Sequence, residues 1–183
     1  MKRICERAID FLYKAATGPS RVRTILTPIA SGFFVCLVLL VIVLSFGMDR
    51  FFGFPEFVSK PYGAVIALPF LIVGAWLWLW SVWRFLKTKG TPVPVNPPPV
   101  LVTDGPYAYS RNPMMTGVFL MLAGIGIVFG SVSLTFIGTP VFVLASILEF
   151  KHIEEPELEK RFGKAYLEYK ERTPIIVPRL YRK

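Results

Sequence analysis

The chain has 183 residues, 54% of them hydrophobic and 15% aromatic, with 21 Lys and Arg against 12 Asp and Glu and a formal charge of +9. Together with a mean hydropathy of +0.54, this excludes an ordinary soluble domain and fits one compact membrane domain over residues 1–183. The cations lie beside apolar runs, where they meet anionic lipid and set topology, so membrane lipids rather than nucleic acid are the expected partners of the charge.

In residues 1–24, Ile4, Ala8, Phe11, Leu12 and Ala15 recur at helical spacing while Lys2, Arg3, Arg7 and Lys14 take other faces. That pattern predicts a basic amphipathic helix lying on the membrane, not a cleavable signal. Residues 29–47 carry no charge and, at about 1.5 Å per residue, cross a hydrocarbon core of about 30 Å. Residues 64–83 predict a second span, with Pro69 and Gly74 as kink points. Trp76, Trp78, Trp80 and Trp83 gather toward its C-terminal end, at an aromatic belt. From Met114 to Phe150 the chain is apolar for nearly twice a span, interrupted by Gly130-Ser131-Val132-Ser133. This predicts a hairpin of helices over 114–129 and 133–150. The Gly124-Ile125-Gly126 run within it has no strand before it and is read as a close helix contact, not a nucleotide loop. The fold class expected is an all-α integral membrane protein with four transmembrane helices, the last two a hairpin, between the interfacial helix and a cytoplasmic C-terminal helix.

Charge asymmetry gives the orientation. Six Lys and Arg precede the first span, two (Arg50, Lys60) lie in the 48–63 loop, four (Arg84, Lys87, Lys89, Arg111) in the 84–113 loop, and nine in the tail. By the positive-inside rule, both termini and the long central loop are expected on the cytoplasmic side. Cys5 and Cys36 lack metal or redox spacing, and His152 is the single histidine, so no metal site is expected.

Two polar segments border the spans. In GTPVPVNPPPVLVTDGP, residues 90–106, Pro92, Pro94, Pro97, Pro98, Pro99 and Pro106 forbid a helix and predict a stiff extended arm, either a linker or a binding loop. In the tail, Lys151 and the Glu154-Glu155 pair follow the last span, and with Arg111 and the stiff loop they are expected to line a cavity between water and lipid. The run from Glu154 to Arg172 is expected to continue the last span or to pack beside it; Pro156 is tolerated where a new helix starts, with Glu154 and Glu155 in or before its first turn. Glu157, Glu159, Lys160, Lys164, Glu168 and Lys170 are read as its solvated face.

GPYAYSRNPMMTG, residues 105–117, resembles the cofactor segment of the isoprenylcysteine carboxyl methyltransferase and phospholipid methyltransferase superfamily. EEPELEKRFGKAYLEYKERTPIIVPR, residues 154–179, resembles its second signature, a Glu-Glu pair followed by Phe-Gly, two Tyr and a closing Pro-Arg. The resemblance covers roughly residues 85–180, and it implies S-adenosylmethionine as cofactor at the cytoplasmic surface and a lipophilic or lipidated acceptor. The family's cofactor contacts fall on Val100, Leu101, Val102, Tyr107, Arg111, Asn112, Pro113, Met114, Met115 and Glu155. An Arg that contacts substrate in the carboxyl methyltransferases, four residues before the cofactor-binding Glu, falls on Lys151. Asn112 stands where many members have His, and Met115 where a Tyr is usual, which removes a hydroxyl and an aromatic face.

A methyl transfer to a carboxylate needs alignment and no general base. A transfer to an amine needs a proton acceptor, for which Glu154 or Glu155 is the candidate. The activity implied first is carboxyl methylation of an isoprenylcysteine-type acceptor. Amine methylation of a phospholipid headgroup is the second, and a catalytically silent membrane scaffold of the same fold is the third.

Overall fold

A computed structural model describes residues 2–176, with residues 2–4 described by backbone alone. The expected faces of Lys2, Arg3 and Ile4, and the closing Pro178-Arg179 of the second signature, lie outside the described residues. The described chain is helical with no strand: α1 (Lys2–Thr17), α2 (Ser20–Phe52), α3 (Lys60–Lys87), α4 (Pro113–Val128), α5 (Thr139–Glu149), α6 (Glu155–Phe162) and α7 (Lys164–Arg172).

Among the described residues, three helices are long and apolar enough to cross a membrane: Ser20–Phe52, Lys60–Lys87 and the continuous Leu134–Phe162. The expected span at 114–129 appears as α4, 16 residues long, about 24 Å at the rise of an α-helix. It is apolar throughout but shorter than the other three. The surface helix ends earlier than the expected residue 24, because Gly18-Pro19 breaks the chain and Ser20 opens α2. Pro28 and Pro69 both sit inside their helices without ending them.

The last apolar run departs most from expectation. Of the two paths open to the chain at Pro156, it takes the continuation and not a separate helix. The chain stays helical from Leu134 to Phe162, with π-turns at Leu134–Gly138 and Phe150–Glu154. Each π-turn stands just ahead of a proline pair, Thr139-Pro140 and Glu155-Pro156. A proline in a regular helix lacks an N–H and drives its ring into the carbonyl four residues back. A widened turn moves that carbonyl aside, and the wide bonds are made by Thr139 N to Leu134 O and by Glu155 N to Phe150 O. The extra residue per turn also re-aims every side chain that follows, including Glu155.

The chain groups into two compact units, one of Met1–Phe33, Trp80–Pro113 and Ile147–Lys183, the other of Phe34–Leu79 and Met114–Ser146. In the second unit α3 and α4 run antiparallel in close contact. A Cβ on Gly74 would lie 2.7 Å from Gly117 O, one on Gly117 would lie 2.6 Å from Gly74 O, and one on Gly124 would lie 2.7 Å from Leu71. Gly126 faces Thr135 across the hairpin just as closely, so both glycines of the Gly124-Ile125-Gly126 run are helix-packing positions. The hairpin turn is fixed from α2, where Asp49 accepts from the Ser131 hydroxyl and, at 2.8 Å, from Ser133 N.

Gly117→Val is expected to force α3 and α4 apart and to destabilise the fold by about 1–3 kcal/mol, the range for overpacking. Thermal unfolding in detergent measures it. An unchanged midpoint would mean that the helices separate at no cost.

Candidate active site

The first unit gathers the two sequence motifs. Arg111 follows the short 3-10 turn Gly105–Ala108, and Glu155 opens α6 immediately after the π-turn. Their side chains form an ion pair and are nearly enclosed, at 8% and 5% exposure. The second oxygen of Glu155 is held by Lys170 of α7 at 2.8 Å, and the same ammonium lies 2.8 Å from Glu159 Oε1. A buried carboxylate is tolerated when it is paired and hydrogen-bonded, and here both oxygens are. Hydrogen bonds to Glu155 and Glu159 raise the pKa of Lys170, so it is protonated at any physiological pH.

Tyrosines of α7 complete the packing. Tyr169 donates its hydroxyl to Tyr107 O at 2.7 Å, and Tyr107 stacks at 5.0 Å between ring centres on Phe85 of α3. Burial pushes the phenols of Tyr107 and Tyr169 above their ordinary value, which keeps both as neutral donors. Beyond α7, Thr173 is buried and the chain runs back along the first motif. Arg111 N donates to Pro174 O at 2.8 Å and Asn112 N to Ile175 O at 3.0 Å, while the Ser110 hydroxyl reaches Ile175 O at 2.6 Å.

The proline-rich segment is not extended from its start, because residues 91–96 turn back on themselves. Thr91 N bonds Asn96 O at 2.9 Å and Asn96 N bonds Val93 O at 2.9 Å, a tight local turn. This brings Pro98 onto Gly90, where a Cβ would lie 2.2 Å from the proline nitrogen. Six prolines stiffen each step, but the local turn decides the path.

The expected site residues divide accordingly. Tyr107, Arg111 and Glu155 are drawn together in the first unit, and Val102 is buried there. Leu101, Asn112 and Glu154 are half-buried, Pro113 is buried, and Lys151 is exposed. Val100 is 54% exposed. Met114 and Met115 lie in the first turn of α4 and belong to the second unit. The reading of a solvated α6–α7 face needs correction. Glu157 is 6% exposed and pairs with Arg161 at 3.1 Å, and Lys170 serves Glu155. Glu159 shares that lysine. Only Lys160, Lys164 and Glu168 remain exposed, and Lys160 pairs with Asp10 of α1 at 2.9 Å. Of the missed residues, Tyr166 and Tyr169 had a signal, since two aromatics three apart on a charged helix mark its buried face. The Lys170–Glu155 pair had none.

Arg111 Nε is buried without a well-formed hydrogen bond among the described residues, and the Tyr166 hydroxyl lies against the same guanidinium. Unsatisfied buried donors are rare in a finished interior. Donors of this kind beside an anion fit the carboxylate and ammonium of an amino-acid moiety, and Tyr107 packed on Phe85 supplies apolar surface in the same unit, where Val102 is also buried.

Comparison with known proteins agrees with the motifs. Residues 62–165 match the family model described as phospholipid methyltransferase. A protein-S-isoprenylcysteine O-methyltransferase of Schizosaccharomyces pombe is 34% identical over 82 residues, 43% of this chain and 33% of that protein. Among solved structures, the eukaryotic intramembrane Ras methyltransferase, an isoprenylcysteine carboxyl methyltransferase, is similar in fold with a TM-score of 0.53 and 24% identity. That similarity covers 79% of this chain and 52% of that one. The chain thus spans about a third of the curated relative and about half of the solved structure.

Proposed function

Since the chain belongs to the phospholipid methyltransferase family, within the wider superfamily of membrane methyltransferases, we propose that it transfers a methyl group from S-adenosylmethionine to a lipophilic acceptor at the cytoplasmic face of a membrane. The observation that carries this reading is the enclosed Arg111–Glu155–Lys170 cluster, which ties the two motifs into one polar site beside a long apolar helix. When bound, S-adenosylmethionine supplies an electrophilic methyl on a sulfonium. The chain's own contribution is to bind and orient. Glu155 offers negative charge to an ammonium, Arg111 offers donors to a carboxylate, and Val102 with Tyr107 lines an apolar slot. Alignment of this kind is worth about 7–11 kcal/mol in favourable cases.

The acceptor favoured is the carboxylate of an isoprenylcysteine-type group, which the Schizosaccharomyces pombe relative's own activity supports. Such an acceptor is already nucleophilic and needs no base. Phospholipid amine methylation is the second reading, favoured by the description of the matching family. There, Glu154 or Glu155 would take the proton.

Lys151, exposed at the start of the π-turn, separates the two. A cation there attracts a carboxylate and repels an ammonium headgroup. With labelled S-adenosylmethionine and vesicles carrying either a prenylated cysteine analogue or phosphatidylethanolamine, the unmodified protein is expected to label the first. Lys151→Arg should keep most of that activity. Lys151→Glu should lose about tenfold or more, the effect of reversing one charge contact to the acceptor, with cofactor affinity unchanged. Preferential labelling of phosphatidylethanolamine would transfer the assignment to the amine branch. A purified protein that binds no S-adenosylmethionine in calorimetry would instead be a scaffold.

A further inference from the structure

The proline-rich loop has few bonds of its own. Pro97, Pro98 and Pro99 have no amide hydrogen. Among the described residues, 97–103 take part in no backbone-to-backbone hydrogen bond outside the helices. Its path is nevertheless defined at three points. Pro98 rests against Gly90, Asp104 pairs with Arg84, and between them Arg161 Nη1 donates to Pro98 O at 3.4 Å. Arg161 Nε in turn lies 3.1 Å from Glu157 Oε1, with the two side chains 13% and 6% exposed.

This pair is an unusual thing to enclose if it does nothing but fill space. Two charges taken out of water cost more than an apolar pair of similar size, and their mutual attraction offsets that cost only in good geometry. A guanidinium has one property that an apolar replacement lacks: its N–H groups point in fixed, different directions. Here one donates to a carbonyl of the loop, while the guanidinium as a whole is ion-paired with a carboxylate on its own helix. That carbonyl lies two residues before Val100, and α6 also carries Glu155.

We propose that Arg161, charge-balanced by Glu157, is a positioning residue that clamps the Pro97–Pro99 turn to α6, so that Val100–Val102 and Glu155 are held at one fixed spacing for the cofactor. The inference rests on the cofactor reading above. Glu157 supplies the counter-charge that lets the guanidinium be enclosed there. The Pro98 carbonyl, flanked by residues without amide hydrogens, receives a donor from a charged group, which is stronger than one from a neutral group. A lysine at 161 would satisfy Glu157 but, as a single point charge, would not hold both partners in this fork.

Two measurements on the full chain in lipid nanodiscs test it. The first is amide hydrogen exchange over residues 91–104 in the ligand-free protein; the second is calorimetric affinity for S-adenosylmethionine. Arg161→Lys is expected to raise exchange at residues 100–104 and to weaken cofactor affinity, each by about tenfold, the effect of one lost hydrogen bond to a charged group. The paired change Glu157→Gln with Arg161→Gln removes both charges and avoids leaving one buried alone; it should give the same two effects. Unchanged exchange in both variants overturns the clamp. Raised exchange with unchanged affinity overturns its role toward the cofactor. Should the unmodified protein bind no S-adenosylmethionine, the cofactor reading and the clamp's purpose fall together, and exchange still reports whether the loop is tied to α6.

Discussion

Glu155→Ala is expected to abolish measurable S-adenosylmethionine binding and to lower stability by about 3–5 kcal/mol, because it strands the guanidinium of Arg111 at 8% exposure without its counter-ion. Arg111→Ala should lose binding as well but cost less in stability, since Glu155 keeps Lys170 at 2.8 Å. Glu155→Gln tests charge apart from shape: it should fold closer to the unmodified protein and still fail to bind the cofactor's ammonium. Glu159→Ala leaves Lys170 with Glu155 and is expected to keep binding. Calorimetry gives the affinities and thermal unfolding in detergent gives the stabilities. Binding retained by Glu155→Gln would show that the carboxylate serves the fold and not the cofactor.

The second large effect is expected from ending the chain at Arg172. This removes the acceptors of Arg111 N and Asn112 N and the partner of the Ser110 hydroxyl, leaving the first motif without three bonds at once. At about 0.5–1.5 kcal/mol net for each hydrogen bond, the loss amounts to several kcal/mol of local order, and cofactor binding should fall by more than about a hundredfold. Ser110→Ala removes one of the three and should cost about 1 kcal/mol. Membrane insertion is expected to survive both changes, because the apolar helices end before Lys164. A shortened chain that binds the cofactor normally would show that the motif holds its shape unaided.

Much of this was legible in the sequence because membrane helices and long motifs write themselves locally. The uncharged runs at 29–47 and 64–83 gave α2 and α3, and Gly130 gave the hairpin turn, since each depends on neighbours in the chain. The two motifs brought Tyr107, Arg111 and Glu155 into one reading. Continuation of the last span through Pro156 was one of two open readings, and the π-turn that permits it was not legible. A proline normally ends or starts a helix, and only the π-turn at Phe150–Glu154 lets it lie inside one. Nor was the local turn of the proline-rich loop, whose path is set by Thr91–Asn96 bonding and by Gly90 under Pro98. The faces of α6 and α7 were misjudged for a related reason. Glu157 and Lys170 look like solvated charges by type, yet Glu157 is enclosed with Arg161 four residues on and Lys170 reaches Glu155 fifteen residues back. Hydrophobic periodicity has no means of seeing a charge that is enclosed together with its partner.

The run of Thr173–Ile176 along Ser110–Asn112 has a consequence for the order in which the protein is made. Ser110 and its acceptor Ile175 are 65 residues apart, and a ribosome adding about 5–20 residues per second delivers the second several seconds after the first. During that interval α4 and the Leu134–Phe162 helix are added to α2 and α3, while the motif still lacks the segment that closes it. The apolar helices are therefore complete before the motif is closed, so a product interrupted between Phe162 and Thr173 carries all of them with the first motif left open.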